Sequence, residues 1–344
     1  MNNKNAVLLL FTGGTISMTK DPMTGALHPL DFSKVKKNLP ELDLMGIQID
    51  TYPFDPVVDS SDVNPETWKK IATIIYEHYN DYDGFVVLHG TDTMAFSASA
   101  LSFMFQNLTK PIVFTGAQLP VGVLRSDAKE NLLTAIEIAS AYEKGRAIVP
   151  EVCIFFEDKL FRGNRTTKQN AEHFNAFNSF NYPILAKSGV HIKYFKPYIY
   201  YPDYSKKISL HTEIDRHVAV LKLFPGITQN TVEAILNIPK LRAVVLETFG
   251  SGNAPRKEWF HESLKKATDR GIIVVNRTQC NTGMVEMGLY ATSLNLLDAG
   301  VLSGHDVTNE ALVSKMMHLL GRYKETELVK KKLQENLCGE MTLE

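Results

Sequence analysis

Residues 6–17 read AVLLLFTGGTIS: a six-residue apolar run that breaks into two adjacent glycines held between Thr12 and Thr15. An unbroken apolar run bounded by turn residues is the pattern of a strand buried on both faces, as in a parallel sheet. The same pattern returns in GFVVLHG (84–90), PIVFTGA (111–117) and EVCIFFE (151–157). Between these runs lie segments with helical spacing. PETWKKIATIIYEHYN (65–80) follows Asn64, a favoured N-cap, and places Pro65 at the first helical position. MAFSASALSFMFQNL (94–108) and SDAKENLLTAIEIASAY (126–142) are also predicted helical. This alternation argues for a mostly parallel sheet flanked by helices.

From Phe195 the rhythm stops in FKPYIYYPDYSKKISLHTEID, rich in tyrosine, proline and lysine, which is read as a linker over 196–216. A second α/β series comes next. HVAVLKLFPG (217–226), LRAVVLETFG (241–250) and GIIVVNRTQ (271–279) are predicted strands, with helices over TQNTVEAILNI and KEWFHESLKKATDR. Thr308 to Glu335 is helical by pattern. The expected fold is therefore α/β in two domains: a larger N-terminal one over 1–195 with a mostly parallel sheet, and a smaller parallel α/β domain over 217–344. A chain of 344 residues also exceeds what one hydrophobic core usually organises.

Composition narrows the partners. Thirty-seven Lys and Arg against thirty-eight Asp and Glu leave no global field for nucleic acid or an anionic membrane surface. A small ligand recognised locally is expected instead. Cys153, Cys280 and Cys338 are odd in number and far apart, without metal-ligand spacing, and read as reduced thiols. The first apolar run is too short for a signal-peptide core, and no segment approaches membrane-spanning length. These features predict a soluble, cytoplasmic protein with no metal site.

In open parallel sheets ligands bind beyond the carboxyl ends of the strands, so the residues after each apolar run carry the chemistry. They are TGGTIS, HGTDT, TGAQLP and EDKLFRGNRTTK. Hydroxyls, amides, a carboxylate and a lysine thus recur at one expected edge. TGGTIS lacks the spacing of a dinucleotide fingerprint and the GK[ST] ending of a P-loop, so phosphate binding is the weaker reading. Gly13 and Gly14 serve either a tight turn or a close approach of backbone to ligand. A threonine hydroxyl attacks a carbonyl only with help from a base, which Thr91, Asp92 and Lys168 could supply. Lys168 could take a proton relayed through a hydroxyl, and Asp92 could pair with it or meet a substrate ammonium. Alternatively Asp92 caps the helix that starts near Met94.

Taken together, TGGTIS, GFVVLHGTDTMAFSASALSF, KPIVFTGAQLP, LRSDAKENLL, FRGNRTTK, FGSGNAP and NRTQCNTG resemble the L-asparaginase family, in order and over nearly the whole chain. The pattern is similar to that of bacterial type I, cytoplasmic members. The resemblance implies a homodimer or dimer of dimers that hydrolyses L-asparagine to L-aspartate and ammonia without cofactor. It puts the nucleophile at Thr15 and the relay at Thr91, Asp92 and Lys168. It also puts substrate-binding hydroxyls at Ser60 and Ser61, with Asp92 on the substrate ammonium, and brings Asn253 toward a partner subunit's site.

Two departures from the family pattern stand out. Many members carry a tyrosine in the loop after the first signature, whereas GALHP (25–29) has none, and His28 is assigned no role. Glu247 stands where a regulatory pocket would need a basic residue, and a carboxylate there argues against allosteric activation by asparagine. Two other readings stay open: an amidotransferase subunit acting on a tRNA-linked amino acid, disfavoured by the near-neutral charge, and a non-catalytic amino-acid sensor on the same fold.

Overall fold

The computed structural model describes residues 5–14, 16, 18–20, 27–29, 41–120, 123–288 and 291–343. The chain divides into two compact units, one up to His211 and one from Thr212 on. In the first, the main elements in chain order are β1 (Ala6–Phe11), β2 (Gln48–Pro53), α1 (Pro65–Glu77), β3 (Gly84–Leu88), α2 (Met94–Met104), β4 (Ile112–Thr115) and α3 (Ala128–Ala139). β5 (Val152–Phe156), β6 (Lys159–Arg162), β7 (Ala186–Lys187) and β8 (Lys193–Tyr194) come after them.

Among the described residues these strands form one sheet in the order β8-β7-β6-β5-β4-β3-β1-β2. β2, β1, β3, β4 and β5 run parallel, and β6 to β8 are added antiparallel. The order reverses at β1, which has β2 on one side and β3 on the other. That reversal is the switch point at which a crevice opens beyond the strand ends.

The apolar runs do form strands because both faces are covered. Val7, Leu9, Phe11, Val86, Leu88, Val113 and Phe155 pack with Leu132, Ala135, Ile136 and Ala139 of α3 in one core. Alternation sends Leu8, Leu10, Phe85, Val87 and Phe114, all equally buried, to the opposite face. Each such side chain contributes about 1.5–3 kcal/mol by leaving water. α2 is buried on nearly every side, as a helix apolar all round must be. α1 begins as its sequence predicts: Asn64 Oδ1 accepts from the Glu66 and Thr67 N–H groups at 3.0 and 3.4 Å, with Pro65 next.

Three expectations are corrected. The helical reading of 94–108 stops at Met104, because Phe105–Gln106 pair as a strand with Ser209–Leu210. EDKLFRGNRTTK is not a simple loop at a strand end: β6 turns back along β5, with Arg162 opposite Cys153, and Lys168 is reached only after this return. Gly163, just past β6, lies so close to α2 that a Cβ on it would stand 2.9 Å from that of Ala98.

The second unit contains β9 (Val218–Lys222), α4 (Gln229–Leu236), β10 (Ala243–Thr248), α5 (Glu258–Asp269), β11 (Ile273–Thr278), α6 (Ala291–Asp298) and β12 (Leu302–Ser303). α7 (Asn309–Arg322) and α8 (Thr326–Leu333) close it. Among the described residues its strands are all parallel in the order β9-β10-β11-β12, with no reversal. The third correction falls here, since the single helical stretch read over 308–335 is two helices interrupted at residues 323–325. Lys315 of α7 is fully buried and donates to Glu340 Oε1 at 2.7 Å and to the Leu333 and Glu335 carbonyls, which ties the chain end to this helix. Among the described residues no helix is long and apolar enough to cross a membrane, and no disulfide joins the three cysteines.

Candidate active site

β1 and β3 end side by side, and the loops that leave them meet at the switch point. Thr12 donates from both its N–H and its hydroxyl to the Leu88 carbonyl, at 3.1 and 2.8 Å, so the pairing of β1 with β3 continues one residue beyond the strand. Thr12 is buried and holds the loop in place. Gly13 and Gly14 then take φ values of +144° and +81°, open only to glycine at low cost. A Cβ on Gly13 would stand 2.0 Å from the Val58 carbonyl oxygen, and one on Gly14 2.4 Å from the Gly90 backbone. The glycine pair therefore makes the tight turn foreseen for it and lets this loop pack directly on the backbone of Val58 and Gly90. Thr15, the predicted nucleophile, lies outside the described residues, as do residues 25 and 26 of GALHP. The backbone of His28 pairs antiparallel with that of Thr19.

After β3, the chain passes through His89, Gly90, Thr91 and Asp92 before α2. Lys168 Nζ comes 2.8 Å from Thr91 Oγ1 and 2.7 Å from Asp92 Oδ1. Three predicted site residues from two distant segments thus form one cluster. The lysine side chain is 17% exposed and that of Asp92 65%. An ion pair this open is worth about 1 kcal/mol or less, so it adds little to the stability of the fold. Asp92 does not cap α2: the N-cap is Thr93, without a side-chain bond to the helix. The capping alternative is set aside, and the second oxygen of Asp92 remains open to a ligand cation.

Ser60 is buried against the same segment. Its hydroxyl lies 2.5 Å from where a Cβ on Gly90 would stand, and its carbonyl accepts from Thr93 Oγ1 at 2.6 Å. Ser61 donates from N–H and hydroxyl to Asp59 Oδ1, both at 2.8 Å, and these bonds hold the Asp59 carboxyl below its usual range. Asp59 was not singled out in the sequence; an Asp before two serines reads as a cap, and here it fixes the turn that presents them. Asn253 belongs to the second unit, where Phe249 and Asn253 exchange backbone hydrogen bonds across a tight turn.

His89 lies beneath the cluster, wholly buried. Burial lowers its pKa to about 4, so the ring is neutral near pH 7. The donors can be ordered: Trp68 Nε1–H donates to Ser97 Oγ at 3.0 Å, Ser97 donates to His89 Nε2 at 2.9 Å, and His89 Nδ1–H donates to the Gly90 carbonyl at 2.7 Å. This buried chain fixes the peptide that leads into Thr91. Gln118, after β4, is a further side chain that the sequence reading passed over; its Oε1 accepts from Thr91 Oγ1 at 3.3 Å. Its only signal was its position beyond a strand end. Among the described residues no three His, Cys, Asp or Glu side chains are grouped to hold a metal ion.

Residues 6–200 match the family model "Asparaginase, N-terminal", and residues 217–333 match "Glutaminase/Asparaginase C-terminal domain". The chain belongs to the asparaginase family. Among similar asparaginases, L-asparaginase 1 of Escherichia coli strain K12 is 42% identical over 98% of each chain. The crystal structure of L-asparaginase I from Vibrio cholerae is 40% identical, with a TM-score of 0.90 over 99% of this chain and all of that one. The thermostable L-asparaginase of Thermococcus kodakarensis is 32% identical, with a TM-score of 0.89 over 98% of this chain and all of that one. The asparaginase fold thus extends over both units, with the cluster of Thr91, Asp92 and Lys168 in the N-terminal family domain.

Proposed function

We propose that this chain is a cytoplasmic L-asparaginase that converts L-asparagine and water to L-aspartate and ammonia through a threonine-linked acyl-enzyme, acting as a homodimer or a dimer of dimers. The observation that carries this reading is the meeting of Lys168 with both Thr91 and Asp92 at the switch point, directly across from the glycine pair that precedes Thr15. Thr15 attacks the side-chain amide carbon, and its proton passes to Thr91 and on to Lys168 in its amine form. Backbone N–H groups near Gly14 or Thr91 hold the oxyanion. The relay returns the proton to the leaving nitrogen and ammonia departs. Water then attacks the aspartyl ester, the same relay takes its proton, and Thr15 is regenerated. Asp92 meets the substrate ammonium while the Ser60–Ser61 turn holds the substrate carboxylate, and Asn253 serves the site of a partner subunit.

A binding-only sensor would not need the Thr91–Lys168 contact, and an RNA-linked substrate would call for a more basic chain than one of net charge -1. Ammonia release from L-asparagine and L-glutamine tests the reading. Both substrates are needed because one methylene is worth only about 1–3 kcal/mol in a pocket. Thr15→Ala and Thr91→Val should each lower turnover by about 10²–10⁴-fold while the protein stays folded. Ammonia release near the wild-type rate by either variant would sink the assignment.

A further inference from the structure

Gln118 stands behind the relay, on the carboxyl edge just past β4, and the reaction scheme gives it no part. Its backbone is fixed first: the Gln118 N–H donates to both Asp127 oxygens at 3.1 and 3.0 Å, and the Leu119 N–H donates to Asp127 Oδ1 at 3.1 Å. Asn131 donates to the same carboxylate at 3.2 Å. The side-chain Nε2 donates to the carbonyls of Ala171 and His173, at 3.1 and 3.3 Å. Those two residues stand in a loop closed on itself by the Gln169 N–H on the Ala176 carbonyl at 2.8 Å and by Asn170 Oδ1, which accepts from the Glu172 and His173 N–H groups.

This arrangement decides the sense of the carboxamide. Backbone carbonyls only accept, so the NH₂ end must face the loop and Oε1 must face Thr91. An ammonium at Lys168 only donates. The single hydroxyl proton of Thr91 is then directed to Gln118, and its lone pairs are left toward Lys168 and the open side of the site.

We propose that Gln118 is a positioning residue of the relay: its carboxamide oxygen accepts the Thr91 hydroxyl hydrogen bond whenever Lys168 is charged, and its nitrogen clips the 169–176 loop that follows Lys168. The inference rests on the relay reading above. When Lys168 gives up its proton, the Thr91 hydroxyl turns to the lysine lone pair and Gln118 Oε1 loses its partner. Gln118 therefore favours the charged lysine and sets the pH at which the relay is ready to accept a proton. The carboxylates hydrogen-bonded to this pair are Asp92 on Lys168 and Asp127 beneath Gln118, while Glu172 and His173 belong to the loop that Gln118 holds.

The test is kcat and KM for L-asparagine from about pH 5 to about pH 10. Gln118→Met removes the acceptor, and the acid limb of kcat should move down by about half to one pH unit, with KM within about threefold of wild type. Gln118→Glu keeps an acceptor and adds negative charge, and the limb should move up. Limbs that stay in place, or that move the same way in both variants, overturn the proposal. The limb is a ratio of rates and does not depend on how much of a variant is folded; Gln118→Leu replaces the Met variant if that one yields no folded protein. Lys168→Met separates the two levels. Wild-type turnover there removes the relay reading and this inference with it, whereas an inactive Lys168→Met beside unmoved Gln118 profiles removes this inference alone.

Discussion

At the carboxyl edge of the first unit's sheet, Lys168 divides its donors between Thr91 and an Asp92 carboxylate that stays 65% exposed. The second unit's sheet ends in a similar row, with Lys222, Glu247 and Arg277 opposite one another on β9, β10 and β11. There the charges are mostly spent on each other. Arg277 Nη1 donates to Glu247 Oε1 at 2.9 Å with both side chains about nine-tenths buried, and Lys222 approaches Glu247 Oε2 at 3.8 Å. The strand order explains the contrast. The first sheet reverses direction at β1 and parts the loops on either side, so the charged row faces an opening; the second never reverses, and its strand-end side chains pack against one another. Similar residues near the carboxyl edge of a parallel sheet stay open to a ligand only where topology leaves them room.

The largest effect that could break this contrast lies in matched lysine variants. Lys168→Met should lower ammonia release by about 10²–10⁴-fold, whereas Lys222→Met, which removes a loose ion pair of the second unit with an exposed lysine, should leave it within about twofold. Comparable losses from both would show that the second edge also serves the reaction.

Next comes stability at the closed edge. Arg277→Met leaves the Glu247 carboxylate buried without its guanidinium and should cost about 3–5 kcal/mol in denaturant unfolding, most of it recovered when Glu247→Leu is added. A cost below about 1 kcal/mol would mean that the pair is solvated, contrary to its burial.

The smallest effect concerns the support under the open edge. His89 is held neutral, with a folded pKa of about 4 against 6.5 for a free imidazole. A depressed histidine pKa means that its contribution to stability is complete above pH 6.5 and is lost as pH falls toward 4, because the unfolded chain takes up the proton first. The loss should approach about 3 kcal/mol. Urea unfolding of wild type and His89→Gln between about pH 7 and pH 5 checks it, and equal slopes for the two proteins would rule it out.

Much of this architecture was legible in the order of residues. AVLLLF, GFVVLHG, PIVFTGA and EVCIFFE are strands because unbroken apolar runs can only be buried on both faces, and Asn64–Pro65 starts α1 because cap and proline chemistry are local. Thr91, Asp92 and Lys168 could be named because hydroxyl, carboxylate and lysine followed strand ends or a known signature. Features that depend on partners from elsewhere in the chain were not legible. Phe105–Gln106 left the helix for a strand partner about a hundred residues away, since a backbone ladder outweighs a weak local propensity. β6 turned back along β5 because its partner was available there, and the route to Lys168 changed with it.

Gln118 and Asp59 mark the limit most clearly. The local signals of a glutamine and an aspartate, helix propensity and capping, do not name these contacts; their meaning lies in which donors and acceptors the fold sets around them. By itself the sequence determined the parallel strands, the helices that cover them and the types of group at the strand ends, because burial and capping are decided over a few residues. Only the tertiary structure decided that Lys168 reaches Thr91 and Asp92, that Glu247 is closed off by Arg277, and which way the Gln118 carboxamide points. Those outcomes rest on strand order and on hydrogen-bond geometry between distant segments, which no local pattern encodes.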